Sequence, residues 1–204
     1  MSSLQCPARV FVARHGEAEY ETDLVTDDGG CLTPQGRAQA RALADRLRGE
    51  RIARVWTSSL SRAVQTAEIV AARLDVDVVV REGLREYGVG AIAGTHADER
   101  AHVGAAFDAW VEGDRDATIG GGERIDAFVG RVTTVLEEVA DEHRGETALV
   151  VSHGGAILAA LPPLVGIAAE RVRGLSLPNC AAVELEADAE GWRLTTWDGR
   201  RDIG

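Results

Sequence analysis

Two short stretches of this chain carry residue types that could do chemistry together: Ala13-Arg14-His15-Gly16-Glu17 and Val150-Val151-Ser152-His153-Gly154-Gly155. In each, an apolar run ends in His-Gly. A neutral imidazole can attack a centre whose negative charge would repel an anionic nucleophile, and a pKa near ~6.5 keeps that form available at pH 7. The glycine that follows lets the backbone turn sharply and approach a ligand closely. A helix opening at Gly154-Gly155 would aim free backbone N–H groups at an anion. Arg14 adds a planar fork of donors that matches phosphate oxygens, with an internal ion pair to Glu17 or Glu86 as the alternative. One histidine at a strand end is ordinarily a satisfied polar residue; two in matching contexts favour a shared site for a phosphoryl group.

For His15 and His153 to meet, their strands must be neighbours and parallel. The pattern around them supports this. Residues 9–13, 54–57, 76–80 and 147–152 read as short apolar strands, and 181–186 with 192–197 as a terminal hairpin. Helical spacing falls between them. Thr33-Pro34 suits a helix N-cap and first position, followed by Ala40, Leu43, Ala44 and Leu47 on one face. Leu60, Ala63, Val64, Ala67, Ala71 and Leu74 mark a second helix, residues 97–111 a third, and Ile125 to Val139 a fourth. A helix from Gly155 should be disturbed or ended by Pro162-Pro163. Strands alternating with helices imply a three-layer α/β/α sandwich around a mostly parallel sheet, whose ligands bind beyond the C-terminal strand ends. The expectation is one domain over 1–204, with 95–123 a substrate-specificity insertion.

Composition narrows the function. The chain has 204 residues, 45% apolar and 27% charged, and a net charge of -11. That field disfavours nucleic acid and anionic membranes, so an anionic substrate needs a local basic pocket. No apolar run reaches the ~20 residues of a membrane span, and the first residues lack a signal-peptide pattern. Cys6, Cys31 and Cys180 read as free thiols in a reducing cytoplasm. His15, His96, His102, His143 and His153 show no H-x-H or H-E-x-x-H spacing, so no metal and no cofactor are expected. The expected partner is a small phosphorylated molecule; a homodimer stays open, since the residues determine no oligomeric state.

The motifs, taken in order, resemble the histidine phosphatase superfamily, which includes phosphoglycerate mutases and many phosphomonoesterases. Arg14-His15-Gly16-Glu17 is similar to its R-H-G signature, and Leu32-Thr33 through Gly36 to Gln39-Ala40 to its L-T-x-x-G-x-x-Q-A helix start. Ser58 to Ala67, with Leu60, Arg62-Ala63 and Thr66, resembles S-x-L-x-R-A-x-x-T-A. Leu84-Arg85-Glu86 with Gly90 and Gly94, then Gly121-Gly122-Glu123, and finally Ser152-His153-Gly154-Gly155 complete the series. The resemblance implies a phosphoglycerate mutase-like fold and a metal-independent phosphatase. It implies His15 as nucleophile and phosphohistidine carrier, with Arg14, Arg62, His153 (as the cation) and Gly154 around the phosphoryl group. Glu86 would be the proton donor. Periodicity alone makes Arg62 an exposed helix arginine, Ser58 and Ser59 an N-cap region, and Glu86 a solvated carboxylate.

The sequence also departs from the pattern. Ala18 and Glu21 stand where many members have threonine and asparagine, Ala93 where glutamate is frequent, and Arg124 where serine or threonine follows G-G-E. An ionised Glu21 would repel a phosphate, so it is expected to point away, and replacing it with asparagine to lower or leave KM. Arg124 reads as solvated, with a second anionic substrate group as the alternative. Trp56, Phe107 and Trp110 read as core rather than pocket. Phosphatase is the leading function, mutase the second, and a phospho-ligand sensor without turnover the third.

Overall fold

Along Ala8–Arg14 (β1), Val10 and Val12 face one side and Phe11 and Ala13 the other, and all four are buried. A strand apolar on both faces must be covered on both faces. The computed structural model describes residues 6–19, 29–95, 101–168, 171, 175 and 177–200, with the side chains of 101 and 102 excepted. The other elements are α1 (Pro34–Leu47), β2 (Ile52–Thr57), α2 (Ser61–Leu74), β3 (Val78–Val80), α3 (Ala101–Val111), α4 (Ile125–Glu142), β4 (Thr147–Ser152), α5 (Gly154–Leu164), β5 (Ala182–Asp188) and β6 (Gly191–Trp197).

The six strands form one sheet in the order β3-β2-β4-β1-β5-β6. The first four run parallel; β5 and β6 form an antiparallel hairpin joined antiparallel to β1. Phe11, Ala13, Leu149 and Val151 pack with Leu43, Ala44, Ala63 and Val70 of α1 and α2. Val10, Val12, Ala148 and Val150 pack on the other face with Phe128, Leu136, Ile157 and Leu161 of α4 and α5. The result is an α/β/α sandwich.

The register makes the site. In the β1–β4 ladder Arg14 stands opposite Ser152, so His15 and His153 leave adjacent strands at the same level. The His15 amide closes the ladder by donating to the Ser152 carbonyl at 3.0 Å.

Local chemistry explains the start of α1. Thr33 Oγ1 accepts from the Gly36 amide at 2.9 Å, and Pro34 fills the first position of α1. Pro162 and Pro163 do not break α5; they sit in its last turn, and it ends at Leu164. A proline there removes only donors near the helix end, which is why the expected disturbance is confined to termination. The third strand is shorter than residues 76–80 suggest. The 97–100 part of the third helix lies outside the described residues. Cys6 and Cys31 are exposed and Cys180 buried, all as free thiols.

Candidate active site

His15 Nδ1 lies 2.7 Å from the Gly16 carbonyl, which can only accept. The proton is therefore on Nδ1, and Nε2 keeps its lone pair. Arg62 Nε donates to that Nε2 at 3.2 Å. Burial is the main force on this ring; with the Arg62 and Arg14 charges it lowers the pKa to about 3 against the opposing Gly16 bond. The neutral form is thus present throughout the physiological range. The Gly16 amide donates to Thr66 Oγ1, and Asn179 Nδ2 donates to the His15 carbonyl, both at 3.0 Å. A Cβ on Gly16 would fall 2.6 Å from the Gly36 carbonyl oxygen, so the R-H-G turn and the start of α1 require each other's glycines.

The His153 ring lies 5.1 Å from that of His15, centroid to centroid. Its Nε2 is 2.8 Å from Ser58 Oγ, which also accepts from the Leu60 amide. Ser58 can donate to an unprotonated Nε2, in which case the His153 proton sits on Nδ1. Burial first, then the positive charges of Arg62, Arg131 and Arg14 and contact with His15, hold His153 well below its ordinary pKa. The expectation of a cation gives way to a neutral donor, because the basic pocket penalises another positive charge.

Among the described residues, His153 Nδ1 and Arg14 Nε are buried side-chain nitrogens without a hydrogen-bond partner. Such donors are costly to leave unmade. Arg14 does bond the Leu177 carbonyl through its NH1 group, at 2.9 Å. It does not pair with Glu17, which accepts from Thr33 Oγ1, nor with Glu86.

Arg62 is 3% exposed, against the exposed position its periodicity suggested. The first turn of α2 begins just past the end of β2, so the side opposite its sheet-facing stripe looks into the site rather than into water. Thr66, one turn on, is buried too and donates to the Arg62 carbonyl at 2.7 Å. A second arm of the guanidinium reaches the Gly29 carbonyl at 3.0 Å. Ser58 likewise proves to be the partner of His153 and not an N-cap, which falls to Leu60.

Glu86 follows a short 3-10 turn, Glu82–Leu84, after β3. Half-buried, it is held against the first turn of α5: Oε2 accepts from the Gly155 amide at 2.9 Å, and Oε1 from the Tyr87 amide at 3.3 Å. Burial pushes its pKa up, opposed by these amides and by Arg62. It is not the solvated loop carboxylate that composition alone would assign. A Cβ on Gly155 would stand 2.6 Å from Glu86 Oε1, so that glycine is the space the carboxylate occupies. Gly154 lies alongside the Arg14 guanidinium, where a Cβ would be tolerated.

The Glu86 segment is tied down by a residue the sequence did not flag. Arg131 of α4 donates to the carbonyls of Gly83, Arg85 and Glu86 at 2.9, 2.7 and 3.0 Å. The same guanidinium is clamped by both oxygens of Glu123, at 2.7 and 2.9 Å, and stacks on Phe128. The Gly-Gly-Glu motif ends on this glutamate, which was the only sequence signal available.

Other candidates fall elsewhere. Arg124 is exposed and pairs with Asp116 and the Arg115 carbonyl, as its solvated reading expects. Trp56 is core; Phe107 and Trp110 are half-buried and line a cavity near Glu86, so the core expectation fails for Trp110 and holds in part for Phe107, which also packs against the core. Ala18 makes an isolated bridge to Leu32. Glu21 lies outside the described residues. Among those residues no three His, Cys, Asp or Glu side chains converge to hold a metal ion, and no helix is long and apolar enough to cross a membrane.

Comparison with known proteins identifies the family and the fold. The family model of the histidine phosphatase superfamily (branch 1) matches residues 10–199. Phosphoglycerate mutase-like protein 4 of Arabidopsis thaliana is 32% identical over 196 residues, 93% of this chain and 84% of that protein. A mycobacterial glucosyl-3-phosphoglycerate phosphatase superposes with a TM-score of 0.76 at 27% identity, over 94% of this chain and 99% of its own. A phosphoserine phosphatase of Entamoeba histolytica shares the fold, with a TM-score of 0.77 at 22% identity, over 94% and 97% of the two chains.

Proposed function

This chain belongs to the histidine phosphatase superfamily, and from that premise we propose that it hydrolyses phosphate monoesters through a phosphohistidine on His15. The lone pair of His15 Nε2 attacks phosphorus opposite the ester oxygen, and an N–P bond forms as the P–O bond breaks. Glu86, protonated at its raised pKa, gives its proton to the departing alkoxide. The resulting carboxylate then takes a proton from water as the water oxygen attacks the phosphohistidine. The N–P bond breaks, inorganic phosphate leaves, and Glu86 is again protonated. Arg14, Arg62, His153 and the Gly154 amide bind the phosphoryl oxygens and meet their charge in the transition state. The Arg14 and Arg62 charges would do the work of a metal, so turnover is expected to survive EDTA and to be blocked by vanadate.

One observation carries the reading: the His15 ring, with Nε2 unprotonated, lies 5.1 Å from the His153 ring, and His153 Nδ1 and Arg14 Nε are buried nitrogens without a hydrogen-bond partner among the described residues. Nucleophile and anion-binding groups converge on one space. Rapid quenching during turnover of a radiolabelled monoester should give protein-bound label that is acid-labile and base-stable. His15→Ala should carry none; label that persists in this variant refutes the assignment. Adding 3-phosphoglycerate with a bisphosphate primer separates hydrolysis, with free phosphate as product, from mutase-type return to the sugar acid.

A further inference from the structure

Directly beside Glu86 lies a cavity of about 340 Å³ whose walls include Tyr87, Phe107, Trp110, Leu158, Pro162 and Ile167. It adjoins the Glu86 carboxyl at one residue, Gly155. Gly155 lines the cavity, donates its amide to Glu86, and leaves room for both neighbours: a Cβ there would be 2.6 Å from Glu86 Oε1 and 2.6 Å from Tyr87 Cε1. The carboxyl that gives up the proton and the wall of the cavity thus flank the same glycine. An alcohol protonated by Glu86 can extend its remaining atoms along this wall.

The wall has a definite chemistry. The Tyr87, Phe107 and Phe128 rings pack edge to face with centroids 5.8 to 6.4 Å apart. Trp110 is oriented by its Nε1 donating to Asp126 Oδ1 at 2.6 Å. Among the described residues the lining includes no lysine, arginine or histidine; its titratable side chains are Tyr87 and Asp108, and Asp108 is itself engaged in an interaction. Arg124, the candidate for a second anionic group, is engaged with Asp116 instead. A substrate bearing a second carboxylate or phosphate would meet mainly apolar surface there.

Resting on the phosphatase reading above, we propose that this cavity receives the alcohol moiety of the substrate, and that the favoured esters carry an apolar, ring-bearing or branched alcohol. Polyol phosphates and phosphorylated acids are disfavoured by the same surface. Aromatic phosphates alone cannot test this, because a phenol leaves more easily whatever the pocket does. Primary alkyl esters of nearly equal leaving-group acidity isolate the pocket.

The measurement is the ratio of kcat/KM for 2-cyclohexylethyl phosphate to that for ethyl phosphate. Burying the ring should raise the ratio to on the order of 10- to 100-fold. Because both esters are read on the same preparation, the ratio is independent of how much of a variant folds. Trp110→Ala and Leu158→Arg should each bring it down by several-fold, and Leu158→Arg should raise the relative rate for 3-phosphoglycerate. Equal efficiency on the two esters, or a ratio unchanged in both variants, overturns the pocket assignment and leaves the phosphatase intact. Failure of both esters to release phosphate, with no label on His15, overturns the underlying function and the pocket with it.

Discussion

Arg62 Nε donates to His15 Nε2 across 3.2 Å, so the nitrogen assigned to attack phosphorus is already held by the cation assigned to bind the phosphoryl oxygens. The guanidinium lowers the basicity of the ring and aligns its lone pair with the pocket. In the proposed reaction its donors would pass from nitrogen to oxygen when substrate binds.

A lysine at position 62 keeps the charge and loses the fork. Arg62→Lys should lower kcat/KM by roughly 10²-fold while changing the unfolding temperature little. Steady-state kinetics with a thermal melt of the same sample checks this. Activity near that of the wild type would show that the fork is dispensable.

The enzyme's own contribution to the pH dependence of kcat/KM should be one-sided. The His15 pKa, lowered to about 3, leaves its ring unprotonated over the accessible acid range, so it adds no acid limb above pH ~4. Glu86 must be protonated to act, and its pKa is raised, so kcat/KM falls as pH rises through that value. Glu86→Gln should remove the alkaline limb. It should slow alkyl esters by on the order of 10²- to 10³-fold, and 4-nitrophenyl phosphate far less, because that leaving group needs no proton.

The same histidine ties stability to pH. Its folded pKa lies below its unfolded value, so the unfolded chain binds the proton more readily, and stability falls as pH drops below ~6.5 toward 3. At pH 5 the loss from His15 alone is about 2 kcal/mol relative to neutrality. Urea midpoints at pH 7 and pH 5 should show it, and His15→Gln should reduce the difference. An unchanged difference would place the proton uptake elsewhere.

Arg131 acts on Glu86 only through the backbone. Arg131→Met leaves three carbonyls and Glu123 without their donor and should cost about 2–4 kcal/mol of stability. As a positioning residue it should also affect kcat for alkyl esters more than for 4-nitrophenyl phosphate, with partial recovery in Arg131→Lys. Equal loss on both would mark a purely structural role.

Much of this was legible in the residues. Alternating apolar runs and helical stripes gave the sandwich, and the strand-end motifs gave both histidines, because strand direction and side-chain period are local properties. The Thr33-Pro34 helix start was equally plain, since a cap is satisfied within three residues. The same local logic misassigned Arg62 and Ser58. Periodicity identifies the stripe against the sheet; it is blind to a second buried face created where a helix emerges beside a strand end.

The sequence by itself determined which elements form and which residue types stand ready to bind and transfer a phosphoryl group. Only the tertiary structure decided their electrostatic state and surroundings. His153 meets Ser58 across 95 residues and Arg131 meets Glu86 across 45. Phe107 and Trp110 become the wall of a cavity only when α3 lies over α5. The reason is physical: hydrogen-bond partners, desolvation and cavity shape belong to groups converging from distant parts of the chain. No local pattern encodes the charge state of a buried ring or the volume left beside it.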